Sequence, residues 1–310
     1  MPNDLELTEM NAAIFNNYGS NSLRAVVINE TDNLEDFIGK LFKYCEKIIF
    51  DNYKLLSSSY DAECLHQFRI SLRQFRSILV FFKDEMSIKE WKKAEKLYKR
   101  LIKPTSKTRD FDVIATEYIS SAFANNINSN EFEDFYQCCA SEQKKLHTIT
   151  ENIILSKNFT GILNNFHDWI NNNCWKKEIL KNYSLKGVHL RKFIYKKVKR
   201  RHKKILNAES LIYPSTQNDL HKLRVNTKEL RYILDILGSN IKQGKKESKD
   251  LKKLQEILGK INDTYVAEKV IQNFPGGGYD LSKQYITDQA IHLRHKYLIQ
   301  LKKYYIETIY

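Results

Sequence analysis

Two stretches of sequence decide the fold, LHQFRISLRQFRSILVFF at residues 65–82 and LHKLRVNTKELRYILDIL at residues 220–237. The offset between them is 155 residues, half of the 310-residue chain. The polar residues that match are His66 with His221, Arg69 with Arg224, Arg73 with Lys228, and Arg76 with Arg231. Apolar residues match between and around them, so the two stretches are copies of one helix and the chain is an internal duplication.

Apolar residues recur at spacings of three and four through most of the chain, with only 4 Pro and 10 Gly to interrupt them. This period predicts helices, and strand-like alternation is nearly absent. The duplication then predicts an all-α protein of two homologous helical bundles packed as a pseudo-symmetric pair. We place the first bundle at residues 33–170 and the second at 186–307. Residues 1–32 are polar and Asn-rich, and we treat them as an N-terminal extension whose order the sequence does not define.

The positive charge is concentrated in the second half of the chain, where residues 156–310 hold 31 Lys and Arg against 14 Asp and Glu. Such a field attracts polyanions, namely nucleic acid, anionic lipid or a phosphate polymer. Five Cys without a Cys-x-x-Cys pair exclude a disulfide-stapled module and predict reduced thiols in the cytoplasm. No apolar run approaches the roughly 18 residues of a spanning helix, so membrane insertion is not expected.

The repeated helix carries its cations in one narrow arc. With His66 set to zero at about 100° per residue, Arg69, Arg73 and Arg76 fall at roughly 300°, 340° and 280°. This arc borders the apolar stripe and contains no acid, so an external anion or a carboxylate from another helix must neutralise it. The intramolecular candidates are Asp110, Asp112, Asp263 and Glu268. We favour an anion site, because an Arg fork bonds two phosphate oxygens at once.

A third basic element precedes the second copy of the helix. Residues 186–204 contain ten Lys and Arg and no acid. Four of these cations share one helical face, at Lys192, Lys196, Lys199 and Lys203. A solvated helix surface is the alternative interpretation, although solvated faces normally mix the two signs.

Signals of catalysis are few. No nucleotide-binding glycine motif or zinc-protease motif is present, and neither His66 nor His221 has a His or carboxylate partner at i+3 or i+4. We therefore expect no metal, no cofactor and no catalytic residue. Two alternatives stay open. Asp110 and Asp112 could hold Mg²⁺ in a metal-dependent phosphoryl-processing enzyme, unless they cap a helix or pair with the Arg row. A nucleic-acid-binding helical protein is the other, although aromatic residues rarely alternate with the cations.

The duplicated His-x-x-Arg-x-x-x-Arg/Lys-x-x-Arg pattern resembles the CHAD domain, the conserved histidine α-helical domain. The segments Arg109-Asp110-Phe111-Asp112-Val113 and Asn262-Asp263-Thr264-Tyr265-Val266, with Gln255, Leu258 and Gly259 before the latter, match the same family. The resemblance spans residues 33–307. The chain lacks the Glu-x-Glu-x-Lys strand of the fused triphosphatase that many relatives carry, which predicts a stand-alone member. The first half of the chain is net acidic.

The resemblance implies a pair of four-helix bundles related by a pseudo-two-fold axis, with a basic cleft that binds inorganic polyphosphate. With the reduced thiols and the missing catalytic motifs, it predicts a non-enzymatic cytoplasmic protein, and association with polyphosphate granules is left open by the sequence. By matching position the cleft would be lined by the two repeated rows and by part of the basic helix before the second row: His66, Arg69, Arg73, Arg76, His221, Arg224, Lys228, Arg231, Lys199, Arg200 and Lys203.

Overall fold

The structure is a computed structural model that describes residues 26–125, 129–176, 185–207, 216–237, 240, 244–274 and 277–309. Every regular element in these ranges is helical, which confirms the all-α fold. The helices are α1 Leu34–Ser58, α2 Ala62–Phe81, α3 Ile88–Ile102, α4 Ser106–Ile114, α5 Ser120–Asn125, α6 Asn130–Ile154, α7 Lys157–Asn171, α8 Gly187–Leu206, α9 Gln217–Leu237, α10 Gly244–Gln272 and α11 Asp280–Ile309. Short 3₁₀ turns lie at Lys83–Glu85 and Lys103–Thr105, and a π-turn at Ala115–Ile119 joins α4 to α5.

Polar caps fix where the first helices begin. The Asn33 side chain accepts a hydrogen bond from the Asp36 backbone N–H at the start of α1. The Asp61 side chain accepts one from Cys64 at the start of α2. Caps of this kind satisfy backbone donors that a helix leaves free at its N-terminus. The cap at Asp61 therefore sets the first turn of α2 and, with it, the position of His66.

The two copies of the repeated helix pack directly against each other, since α2 contacts α9. Helix α2 also contacts α1, α3 and α4, and α9 contacts α8 and α10. Helix α4, which follows the first repeated helix and α3, contacts both α2 and α10, and α10 is the helix after the second repeated helix. The repeated helices therefore lie at the centre of the molecule, with α4 and α10 beside them.

Two hydrophobic clusters form the core, and each combines both halves of the chain. The larger unites α1, α2, α3 and α7 with α8, α9, the first part of α10 and the end of α11. The smaller unites α4 to α6 with the end of α10 and the start of α11. The proposed division into bundles at 33–170 and 186–307 remains a prediction. The core itself is continuous across it, because α10 and α11 are long enough to enter both clusters.

The end of the N-terminal extension is attached to the second half of the chain. The Ile28 backbone N–H donates to Asn240 Oδ1 at 2.8 Å, and Arg191 Nη2 donates to the Ile28 carbonyl at 2.7 Å. The Ile28 side chain is fully buried, and Asp32 accepts from Lys40 Nζ at 2.7 Å. Residues 26–32 are thus part of the folded body. The rest of the predicted extension, residues 1–25, lies outside the described residues.

Across the ranges that the structure describes, we find no helix both long enough and apolar enough to cross a bilayer.

One buried ion pair joins α8 to the end of α2. Lys197 Nζ donates to Glu85 Oε1 at 2.5 Å, and the two side chains are 11% and 4% exposed. We predict that Glu85→Ala lowers the free energy of unfolding by about 3 kcal/mol, because it leaves a buried cation without its partner. Asp84→Ala, at the exposed neighbouring position, should cost about 1 kcal/mol or less. Urea denaturation measures both, and equal losses would contradict this role for Glu85.

Candidate anion-binding site

The cations of the two rows come together at the α2–α9 contact. Arg73 of the first row is among the positive charges that lower the pKa of Arg224 and of Lys228 in the second row. Arg73 and Arg109 also lower the pKa of His66. Since such effects fall off with distance, members of both rows share one electrostatic environment. That the two rows line one shared cleft remains a prediction.

Four cations at this contact, Arg69, Arg73, Arg224 and Lys228, have no carboxylate partner among the described residues. Across the described part of the chain, none of them forms an ion pair within 4.0 Å. The Nε atoms of Arg69 and Arg224 are buried without a hydrogen-bond partner among these residues. A buried donor without an acceptor costs free energy in the unliganded protein. We refer to Arg69, Arg73, Arg224 and Lys228 below as the cation cluster.

The lowered pKa values in and beside the cation cluster reflect the electrostatic cost of burying like charges together. Burial, and then the charges of Arg224 and Arg73, lower the pKa of Lys228 from 10.5 to about 7. Burial and Arg73 lower the pKa of Arg69 from 12.5 to about 10. Burial and Arg109 lower the pKa of His66 to about 4, so this ring is neutral at pH 7 in the unliganded protein. Each shift reflects a positive charge that has lost water and gained like-charged neighbours.

Two aspartates lie near the cluster without pairing with it. Asp110 and Asp263, which match in the weaker repeat, both act on Arg224, but at longer range than an ion pair. Asp110 is exposed to solvent on one side. The surrounding helices remove part of its hydration, which raises its pKa, whereas Arg69 and Arg73 act to lower it. These carboxylates moderate the positive field without forming an ion pair with the cluster, and the Nε donors of Arg69 and Arg224 stay without an acceptor among the described residues.

The last member of each row is engaged by an acid. Arg76 Nη1 donates to Glu229 Oε1 at 2.7 Å, which joins α2 to α9. Arg231 Nη1 lies 3.4 Å from Asp235 Oδ2, and its Nε donates to Gln255 Oε1 at 2.6 Å. Neither acid was among the intramolecular partners considered from the sequence. Glu229 falls on the buried side of α9, where a core role would be expected.

Two other candidate acids are occupied elsewhere. Asp112 is buried and lies 2.7 Å from His147 Nε2 through its Oδ1, which also accepts from Gln143. Glu268 pairs with Arg294. Asp112 thus faces α6, whereas Asp110 faces the cation cluster, as expected for residues about 200° apart on one helix. The fold therefore does not bring these two carboxylates together.

The remaining predicted residues lie at the surface. His221 is exposed at the start of α9. Lys199, Arg200 and Lys203 are exposed on α8, on the side away from its buried Ile194 and Val198. Lys197 and Arg201 of α8 are partly buried and bind Glu85 and the Val80 carbonyl, respectively. The apolar period of α8 could have distinguished its partly buried cations from its exposed ones in the sequence.

A pocket of about 290 Å³ opens beside the cluster, between the first turns of α9 and the middle of α10. Arg224 and His221 both belong to its lining. The other lining residues are Gln217, Asn218, Leu220, Leu258, Ile261, Asn262 and Tyr265. This pocket could not be predicted from the sequence, because it depends on how the consecutive helices α9 and α10 pack against each other.

The described residues form an all-helical protein in which cations of α2 and α9 lie close together at its centre. The CHAD domain profile matches residues 45–272, so the chain belongs to the CHAD domain family. Its fold is similar to the crystal structure of the CHAD domain from the plant Ricinus communis, with a TM-score of 0.74 at 18% identity over 91% of this chain and 95% of that one. It is also similar to PptA from Streptomyces chartreusis, with a TM-score of 0.67 at 10% identity over 88% and 99%. No curated protein matches the sequence.

The pKa of Lys228 makes stability depend on pH. Between pH 7 and 10 the unfolded chain holds a proton on this lysine that the folded chain has lost, so the free energy of unfolding rises with pH. We predict a contribution of about 1 kcal/mol per pH unit above pH 7.

The variant Lys228→Met should remove this contribution. Its stability advantage over the natural protein should be largest at pH 6 and should shrink towards pH 9, as measured by urea denaturation at several pH values. Lys199→Met changes an exposed lysine and serves as the control. A pH dependence shared by the natural protein and Lys228→Met would contradict the assignment.

Proposed function

We propose that this protein binds inorganic polyphosphate at the cation cluster, in a basic cleft between the two repeats. The observation that carries the proposal is the set of four cations from both repeats without a carboxylate partner among the described residues. A linear polymer with one negative charge per repeat unit can neutralise such a row without any sequence readout. Membership of the CHAD domain family supports the same ligand.

The ligand would correct what the unliganded site lacks. Phosphate oxygens would accept from the orphaned Nε groups of Arg69 and Arg224, for which Arg is well suited. Negative charge beside Lys228 would raise its pKa again and return its proton. His66 would gain its charged form for the same reason. Relief of this electrostatic cost would then contribute to the binding free energy.

We propose that the protein binds polyphosphate without turnover, and that it is cytoplasmic and associated with polyphosphate granules. The divergence of Asp110 and Asp112 supports the first part, since the phosphoryl-transfer alternative needs them on one metal ion. The five cysteines, all free thiols, support the second. Incubation with long-chain polyphosphate and Mg²⁺ or Mn²⁺ would release free phosphate if the alternative were correct.

Polyphosphate binding should depend strongly on salt. With four cations in contact, once Lys228 has regained its proton, the slope of log K against log salt concentration should be about −3. Arg73→Gln should weaken binding and reduce the slope by about 0.7, whereas Lys92→Gln, an exposed cation of α3, should change neither. Titration of long-chain polyphosphate at four salt concentrations measures both. A flat salt response, or displacement of polyphosphate by RNA of equal charge at equal concentration, would contradict the proposal.

The exposed cations of α8 form a separable part of the proposed site. Lys199, Arg200 and Lys203 carry no ion pair within the described ranges and extend the positive surface beyond the cleft. We predict that Lys199→Gln combined with Lys203→Gln weakens long-chain polyphosphate by several-fold and leaves tripolyphosphate unchanged, because three phosphates are too short to leave the cluster. Equal losses for both ligands would show that α8 acts only through the general field.

A further inference from the structure

The arginine of the first repeat has acceptors beside it that the second repeat lacks. Arg69 Nη1 donates to Thr105 Oγ1, and Ser106 Oγ lies 3.4 Å from the same nitrogen. These two side chains hold the guanidinium from the start of α4. The Arg69 site is thus partly satisfied by the protein itself.

The weaker repeat places Leu258 and Gly259 at the positions of Thr105 and Ser106. Neither residue has a side-chain acceptor, so the matching Arg224 cannot be held in the same way. No described residue accepts a hydrogen bond from Arg224, and its Nε is buried. A side chain added at Gly259 would meet nothing within 4 Å. The second repeat has therefore exchanged two acceptors for open space.

Arg224 instead borders the 290 Å³ pocket, whose lining includes Leu258, and this volume lies near the lower limit of small-ligand sites. Its lining combines apolar and polar side chains: Leu220, Leu258 and Ile261 form a floor that is at least 95% buried, and Tyr265 adds a partly exposed aromatic ring. Its rim is formed by the exposed amides Gln217 and Asn218. A partly exposed aromatic ring favours a flat heterocycle, which can stack on it, over a hydrated phosphate. Amides can donate to and accept from the edge of a heterocycle.

We propose that this pocket holds the base of a nucleoside 5′-polyphosphate, whose phosphates lie on Arg224 and Lys228 in the cation cluster. Arg224 connects the two parts, since it lines the pocket and acts electrostatically on Lys228. The inference rests on the proposed function, because the phosphates use the polyphosphate site. It adds a ligand class that the cluster alone would not distinguish.

The first repeat does not offer a second site of this kind. Where the pocket has Asn262 and Tyr265, the matching positions hold Arg109 and Asp112. Arg109 adds a positive charge beside His66, and Asp112 is tied to His147. One nucleotide per chain is therefore expected.

The test compares ATP with inorganic tripolyphosphate by calorimetry at pH 7.5 without divalent metal. Tripolyphosphate carries at least as much negative charge as ATP, so charge alone predicts that ATP binds no more tightly. Burial of the base in the pocket should instead make ATP bind about tenfold more tightly. Long-chain polyphosphate should displace ATP, because both ligands need Arg224.

The variant Asn218→Ala should weaken ATP by about threefold to tenfold and leave tripolyphosphate unchanged. Asn226→Ala makes the same change at an exposed position of α9 outside the pocket and should alter neither ligand. These variants separate a base in the pocket from a general effect on the cluster.

The outcomes are distinguishable. If tripolyphosphate and long-chain polyphosphate bind but ATP binds no more tightly, the pocket inference is wrong and the proposed function stands. If ATP is tighter but Asn218→Ala weakens both ligands equally, the base does not use the pocket and the inference also fails. If ATP binds and long-chain polyphosphate does not, the proposed function fails. If no ligand binds, both are wrong.

Discussion

The structure depends on the burial of two apolar stripes that each carry a row of cations along one border. When α2 and α9 bury these stripes against a common core, the rows are carried to their shared contact. Hydrophobic burial of this kind is worth far more than the repulsion between a few partly solvated charges. Burial of the core therefore holds the cations together, and the lowered pKa values of Arg69 and Lys228 reflect the electrostatic cost of doing so.

The fold neutralises only one end of each row. Arg76 and Arg231 have acids close by, and the acid at Arg76 also attracts Arg201 of α8, at 3.9 Å. Glu229 thereby ties α2, α8 and α9 together where the rows end. Had every cation been paired in this way, the contact would be an ordinary polar interface. The earlier members of the rows lack such partners among the described residues, which is why the site can attract an anion.

Much of this could be predicted from the sequence, because helix period and internal repetition are local properties of the chain. The period placed His66, Arg69 and Arg73 in one arc, and the duplication predicted that a second arc would follow. The choice of ion-pair partners could not be predicted. Asp112 binds His147 on α6, and Arg76 binds Glu229 across the helix contact. Such pairs depend on how separate helices are oriented, which a single sequence does not record.

The differences between the repeats are as informative as their likeness. A polymer that is gripped along its length needs cations from both rows, and the matched positions retain them. The surroundings have diverged, since Gln74 corresponds to Glu229 and Thr105 to Leu258. Glu229 forms the ion pair with Arg76 at one end of the rows. Leu258 offers no acceptor to Arg224, which lies beside an open pocket. Because a symmetric site cannot give a linear ligand a preferred direction or terminus, any such preference must arise at these unmatched positions.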